Sequence, residues 1–152
     1  PDGRCHWLHS GDSRIYHIRA GKLRRRTMDH SYVQTLVKQH KLSEEEAAVH
    51  PRAHVLISCL GAAVDPILDA QYVTRLRIGD VLMVCSDGLW HYFNDDDLSL
   101  ALDTLSPSKA CHFLIEKARE RAAGSGDNLS LVVVRIEPPV VATRGTKPTT
   151  LM

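Results

Sequence analysis

An apolar segment that ends beside an isolated acidic residue constrains this 152-residue chain more than any other feature. Val81–Cys85 is a run of five apolar residues, preceded by the turn residues Gly79-Asp80 and followed by Ser86-Asp87-Gly88. A short apolar run bounded by turn signals is typical of a buried β-strand. Such a strand would deliver Asp87 to its C-terminal end, next to the flexible Gly88.

A second acidic residue, Asp127, stands just before another predicted strand. It follows the glycine-rich segment 124–126, and residues 129–136 contain a β-branched run. Mg²⁺ and Mn²⁺ prefer carboxylate and water oxygens, so two carboxylates at two strand ends could share one metal site. Taken singly, an Asp beside a Gly at a strand end is more often a turn former than a ligand. The local pattern alone leaves both interpretations open.

The rest of the chain mixes predicted strands with predicted helices. The pattern predicts a β-meander over residues 5–26, a hairpin of residues 71–77 with 81–85, and a loop over residues 89–93. Helix starts are indicated by the capping box of Ser43 with Glu46, by Asn94, and by Ser106-Pro107. This order predicts an α+β sandwich of antiparallel sheets with helices packed outside. The segment 138–152 has no periodicity, and we expect it to be a disordered tail.

Charge and composition exclude several function classes. The net charge is +1 with histidine neutral, so we expect neither nucleic acid nor an anionic membrane as a partner. No run approaches the ~20 apolar residues of a membrane helix. The four cysteines are widely spaced, which favours reduced thiols and a cytoplasmic protein. The basic run of residues 24–26 could attract a phosphorylated substrate, but a solvated hairpin face is the favoured interpretation.

Five short motifs occur in a specific order along the chain. They are Gly-Asp-Ser-Arg at residues 11–14, Asp-His-Ser at 29–31, His-Pro at 50–51, Ser-Asp-Gly-Leu at 86–89 and Gly-Asp-Asn at 126–128. In this order the sequence resembles the C-terminal part of a PPM-type (type 2C) metal-dependent protein serine/threonine phosphatase, with bacterial members the more similar. The resemblance covers most of residues 1–137. It implies a four-layer αββα sandwich that is incomplete at its N-terminus.

The resemblance also implies a chemistry and roles for individual residues. Family members bind two Mn²⁺ or Mg²⁺ ions, whose bridging hydroxide attacks the phosphorus of phosphoserine or phosphothreonine. By motif, Asp87 and Asp127 would be metal ligands. Asn128 would orient the Asp127 turn through its side-chain amide, with Gly88 supporting Asp87. Asp12 and Arg14 would form a structural ion pair or a turn network. We expect His30 to be a packing or hydrogen-bonded residue rather than an acid catalyst.

The remaining catalytic parts of the family have no match in this chain. These are an acidic pair, an Asp-Gly segment that bridges both metals, and a phosphate-holding arginine, all of which precede the Gly-Asp-Ser-Arg motif. No catalytic residue is therefore assigned, and we expect the isolated chain to have little or no phosphatase activity. The parent enzyme would act on phosphorylated protein substrates of a Ser/Thr kinase. The alternative is a phosphatase-like regulatory or binding module without catalysis.

Overall fold

The computed structural model describes residues 3–73 and 75–139. The strands are β1 (Cys5–His9), β2 (Arg14–Arg19), β3 (Lys22–Arg26), β4 (Asp69–Val73), β5 (Val81–Cys85) and β6 (Leu131–Arg135). The helices are α1 (Tyr32–Lys38), α2 (Glu44–Ala48), α3 (Asp87–Trp90), α4 (Asp95–Thr104) and α5 (Pro107–Ala122). Mixed helices and antiparallel strands confirm the α+β prediction.

A four-stranded antiparallel sheet forms the centre of the molecule, in the order β3-β2-β5-β6. Side chains alternate between its two faces, as the period of a β-strand requires. One face carries the buried apolar residues of β2 and β5. These pack against apolar residues of α4 and α5, and the cluster includes Tyr16, Ile18, Val81, Met83, Leu98, Leu102, Leu114 and Ala118. This single core fixes the position of β5 and therefore of the residues that follow it.

Capping signals begin the helices where the sequence predicts. Ser43 and Glu46 form the reciprocal capping box of α2, and the Asn94 side chain accepts a hydrogen bond from the Asp97 N–H at the start of α4. Pro107 stands in the first turn of α5, where its missing N–H costs nothing. The acidic residues 95–97 lie in the first turn of α4, where the helix dipole favours negative charge.

Two strand pairings predicted from the sequence are wrong. β1 does not continue the meander but pairs with β4 in a separate two-stranded sheet, because a bend at residues 10–13, with Gly11 at φ +100°, turns the chain between β1 and β2. The predicted hairpin of β4 with β5 also does not form. Both edges of β5 are already occupied, by β2 and by β6.

The segment after β5 also differs from the prediction. Residues 87–90 form the short helix α3, although the chain from residue 89 was expected to be a loop. Within the described residues, no helix is long and apolar enough to cross a membrane, and all four cysteines are free. The predicted disordered tail lies, from residue 140 onward, outside the described residues.

Candidate metal centre

The ends of β5 and β6 bring the two sequence-predicted carboxylates to the same edge of the sheet. Cys85 is in register with Leu131 at the last pair of the ladder. Beyond it, the Ser86 N–H donates to the Ser130 carbonyl at 3.1 Å, and the Ser130 N–H donates to the Ser86 hydroxyl at 3.0 Å. These bonds extend the pairing past the strands, so the segments that carry Asp87 and Asp127 lie side by side.

Gly88 allows the two segments to approach closely. A Cβ atom on Gly88 would lie 3.0 Å from the Asn128 carbonyl carbon and closer still to its oxygen, and 3.4 Å from the Asp127 carbonyl oxygen. Real Cβ atoms do not tolerate such contacts with backbone atoms, so any residue other than glycine would push the segments apart. The predicted support of Asp87 by Gly88 therefore has a steric basis.

Each carboxylate is oriented by the backbone N–H that follows it. Asp87 Oδ1 accepts from the Gly88 N–H at 2.9 Å, and Asp127 Oδ1 accepts from the Asn128 N–H at 2.6 Å. Asn128 thus holds the Asp127 turn through its backbone and not, as expected, through its side-chain amide. Within the described residues, these are the hydrogen bonds of the two carboxylates, so oxygen lone pairs remain for a cation. Oxygen donors of this kind suit Mg²⁺ or Mn²⁺.

Asp12 belongs to the same end of the molecule, which the sequence analysis missed. Burial raises the pKa of the Asp12 carboxyl, and the negative charge of Asp87 raises it further. The Asp12 carbonyl accepts a hydrogen bond from Trp90 Nε1 at 2.9 Å, which ties the bend before β2 to α3. Two acidic groups that repel each other in a partly buried place form a favourable environment for a divalent cation.

Arg14 holds this arrangement together but is not paired with Asp12. Its guanidinium forms a bidentate ion pair with Asp29, at 2.9 Å from Nε to Oδ1 and 2.8 Å from Nη2 to Oδ2. Its Cζ also lies 3.4 Å from the ring centroid of Trp90. Burial alone would lower the pKa of Arg14, but hydrogen bonding and attraction to Asp29 raise it overall. The structural role predicted for Arg14 therefore operates through Asp29 and Trp90.

A second group of potential ligands consists of His9, His30 and Asp69, whose nearest ligand atoms lie within 4.8 Å of one another. The Gly11 N–H donates to His30 Nδ1 at 3.2 Å, so this nitrogen is an acceptor. In the neutral ring His30 Nε2 then carries the proton, and it faces Asp69 Oδ2 at 3.3 Å. His30 is thus hydrogen-bonded through Nδ1, whereas its buried Nε2 forms no hydrogen bond among the described residues.

His9 lies against His30 and has no hydrogen-bond partner among the described residues. The two ring centroids are 4.8 Å apart, and both nitrogens of the buried His9 lack a partner. Burial lowers the pKa of His9, and the neighbouring His30 lowers it further. No local pattern predicts this cluster, because β4, which carries Asp69, pairs with β1 across 60 residues or more.

Comparisons with known proteins match the chain to bacterial phosphatases, although no family model matches it. The serine/threonine protein phosphatase PstP of Mycobacterium tuberculosis is 36% identical over 130 residues, which is 85% of this chain and 24% of that protein. A putative 2C-type protein phosphatase of Streptococcus pyogenes is 34% identical over 132 residues, 86% of this chain and 52% of that protein. The chain thus spans about half, or less, of the curated relatives it matches.

Solved structures agree in fold. The serine/threonine phosphatase of S. agalactiae superposes with a TM-score of 0.81 at 34% identity, over 89% of this chain and 55% of that chain. The catalytic domain of PstP in complex with two manganese ions superposes with a TM-score of 0.72 at 32% identity, over 90% of this chain and 55% of that one. These matches confirm the predicted fold and the resemblance stated from the motifs.

Proposed function

Because the chain is a homologue of the PPM-type serine/threonine phosphatases and corresponds to part of their domain, we propose that the polypeptide containing it removes phosphate from phosphoserine and phosphothreonine in proteins. The observation that carries this proposal is the contact between the two strand ends. Gly88 packs against the carbonyl of Asn128, and this close approach of the two backbone segments supports one shared site for Asp87 and Asp127. A PstP structure with two manganese ions supports the choice of Mn²⁺ or Mg²⁺ as cofactor.

In this proposal Asp87 and Asp127 hold a divalent cation, and Asp12 contributes negative charge beside Asp87. When bound, such cations lower the pKa of a ligated water and neutralise phosphoryl charge. The chain itself supplies orientation. The Gly88 and Asn128 N–H groups each fix one carboxylate oxygen, and the other oxygen of each side chain is available to the metal. Preorganisation of this kind keeps the ligands in place before the ion arrives.

Arg14 and Trp90 act as positioning residues. The stacked guanidinium fixes the indole, and the indole N–H binds the Asp12 carbonyl, so α3 with Asp87 is held against the bend with Asp12. A phosphorylated protein is the proposed substrate, and a Ser/Thr kinase as the source of its phosphate and a cytoplasmic location remain predictions. The chain alone lacks matches to the other metal ligands of the family, and we propose that by itself it is inactive.

The test is Mn²⁺-dependent hydrolysis of a phosphothreonine peptide by the full-length polypeptide that contains this chain. Asp87→Asn should lower kcat by at least about a hundredfold, because it removes a metal ligand while preserving side-chain size. Asp96→Asn is the matched control, since Asp96 is an exposed acid in the first turn of α4. An inactive native polypeptide would instead favour the regulatory module.

A further inference from the structure

A groove lined by arginines lies away from the candidate metal centre, and nothing in the proposed catalysis uses it. It has a volume of about 830 Å³. Five arginines line it, drawn from three separate segments of the chain: Arg19, Arg24, Arg25, Arg75 and Arg77. Backbone and side chains of β4, including Tyr72, form the opposite wall. No aspartate or glutamate belongs to the lining among the residues that the structure describes.

A β-bulge explains why two neighbouring arginines of β3 both line this groove. Successive residues of a regular strand face opposite sides of a sheet. In β3 the register shifts, because His17 is opposite Arg25 whereas Ile18 is opposite Leu23, and Arg24 is the extra residue. Arg26, the third member of the basic run, instead binds Asp95 at 3.2 Å. Arg24 and Arg25 are thus exposed on the hairpin, as the sequence predicts, and both line the groove.

Asp80, which is buried behind the groove and does not line it, pairs with Arg19 and neutralises that one arginine. Asp80 is fully buried and accepts two hydrogen bonds from Arg19, both at 2.6 Å, and one from the Arg77 backbone N–H at 2.9 Å. Arg19 also donates to the Arg75 carbonyl at 2.8 Å. These bonds fix the segment that carries Arg75 and Arg77 against β2, so the wall is held in place before a ligand binds.

Four arginine side chains remain without a carboxylate partner among the described residues. Arg25 contacts only the Tyr72 carbonyl, at 3.4 Å, and the structure gives no ion pair for Arg24, Arg75 or Arg77. The chain has 19 basic and 18 acidic residues, and a cluster of unpaired like charges adds nothing to the stability of its fold. Guanidinium groups match the oxygens of phosphate in a bidentate geometry, and Arg clusters are the usual phosphopeptide receptors.

The groove lies at the opposite end of the sheet from the candidate metal centre. Arg14 of β2 is in register with Cys85, two residues before Asp87, whereas Ile18 is in register with Val81. Arg19 therefore lies about 17 Å from Arg14 at the Asp87 end, and the near edge of the groove, at His17 and Arg25, lies about 10 Å from it, at ~3.3 Å per strand residue. A phosphate bound here could not be the one hydrolysed at Asp87.

We propose that this groove binds a phosphorylated segment of a polypeptide, as a docking site separate from the site of hydrolysis. The inference rests on the proposed function, because the partner is drawn from its substrate class. The volume lies in the upper part of the range of ligand pockets, about 300–1,000 Å³, and accommodates several residues around one phosphate. A substrate with two phosphorylated residues would be held by one while the other is hydrolysed.

The test measures fluorescence anisotropy of a labelled phosphothreonine peptide, with EDTA present so that no metal contributes. Both the 152-residue chain and the full-length polypeptide are titrated. Each should bind the phosphopeptide at least tenfold more tightly than the unphosphorylated peptide or a peptide with glutamate in place of the phosphothreonine. Arg24→Ala and Arg77→Ala should each weaken binding about tenfold, because each removes a charge-assisted contact. The matched control is Arg119→Ala, an exposed arginine of α5 outside the groove.

Three results would overturn the proposal. The first is equal affinity of Arg24→Ala, Arg77→Ala and the native chain. The second is that a single-stranded oligonucleotide binds more tightly than the phosphopeptide and that the same variants abolish this binding. That result would make the groove a nucleic-acid site. The third is loss of phosphopeptide binding in the full-length polypeptide. The metal-free readout keeps this test separate from catalysis: an inactive polypeptide that still binds through Arg24 and Arg77 refutes the proposed function and not the docking site.

Discussion

Asp80 offers the sharpest stability prediction, because a fully buried carboxylate is held by several charged and polar groups. Its oxygens accept from Arg19 twice and from the Arg77 N–H, and Oδ2 lies 3.1 Å from His17 Nε2. Burial alone would raise the pKa of this carboxyl. The hydrogen bonds from Arg19, Arg77 and His17 outweigh burial and lower the pKa from 3.8 to about 2.

The lowered pKa gives both the sign and the size of a pH effect. Because the folded-state pKa lies below the unfolded one, the ionised carboxylate stabilises the fold above about pH 4, and this stabilisation is lost as the pH falls toward 2. The difference corresponds to about 2 kcal/mol at neutral pH. Asp80→Asn should cost more, about 3 kcal/mol, since it also leaves Arg19 without its counter-charge in a partly buried place.

The assay is urea unfolding followed by tryptophan fluorescence, for the native chain and the Asp80→Asn variant. The difference in free energy of unfolding should be about 3 kcal/mol at pH 5 and should shrink by about 2 kcal/mol by pH 2, because only the native chain loses the carboxylate. Asp65→Asn, an exposed acid in the loop before β4, is the control and should change little. A cost below about 1 kcal/mol at pH 5, or a difference that stays constant with pH, would show that the Asp80 carboxylate does not stabilise the fold in this way.

Three further predictions follow from the same geometry. Gly88→Ala should destabilise the chain by about 3 kcal/mol in urea unfolding, because the new methyl group meets the Asn128 carbonyl, and a cost below about 1 kcal/mol would contradict this. Burial raises the pKa of the Cys85 thiol to about 12. Alkylation of the native chain at pH 8 should therefore leave Cys85 unmodified while Cys111 reacts. Labelling of Cys85 at the same rate as Cys111 would contradict the burial of Cys85. The isolated chain should hydrolyse no phosphothreonine peptide with Mn²⁺, and turnover by a preparation of this chain alone would show that the two carboxylates suffice.

The sequence predicted those parts of the fold that depend on local chemistry. The capping box of α2, the Asn94 cap and the proline at the start of α5 act within one helical turn, so their residues suffice to place each helix start. The strand β5 was evident from its apolar run. The strands that flank β5 were not evident, because they pair with it over long sequence distances. The hairpin of β4 with β5 was wrong for this reason.

The same distinction applies to the candidate site. Asp87 and Asp127 were found because each stands beside a glycine at a strand end, in motifs that recur in a family. The close approach of the segments that carry them depends on Gly88 meeting the backbone of Asn128, which no local pattern reveals. Asp12 and Arg14 were predicted to form an ion pair or a turn network because both belong to the Gly-Asp-Ser-Arg motif. In the folded chain Asp29 is the better partner, since it meets the guanidinium with both oxygens.

The central claim is that Asp87 and Asp127 hold one divalent-cation site, and Mn²⁺ binding to the full-length polypeptide tests it most directly. Isothermal titration calorimetry would compare the native polypeptide with Asp87→Asn, Asp127→Asn and the exposed control Asp96→Asn. We expect each of the first two variants to weaken Mn²⁺ binding at least tenfold and the double variant to bind little more weakly than either, while the control binds as the native polypeptide does. Native affinity in both Asp87→Asn and Asp127→Asn would contradict this claim.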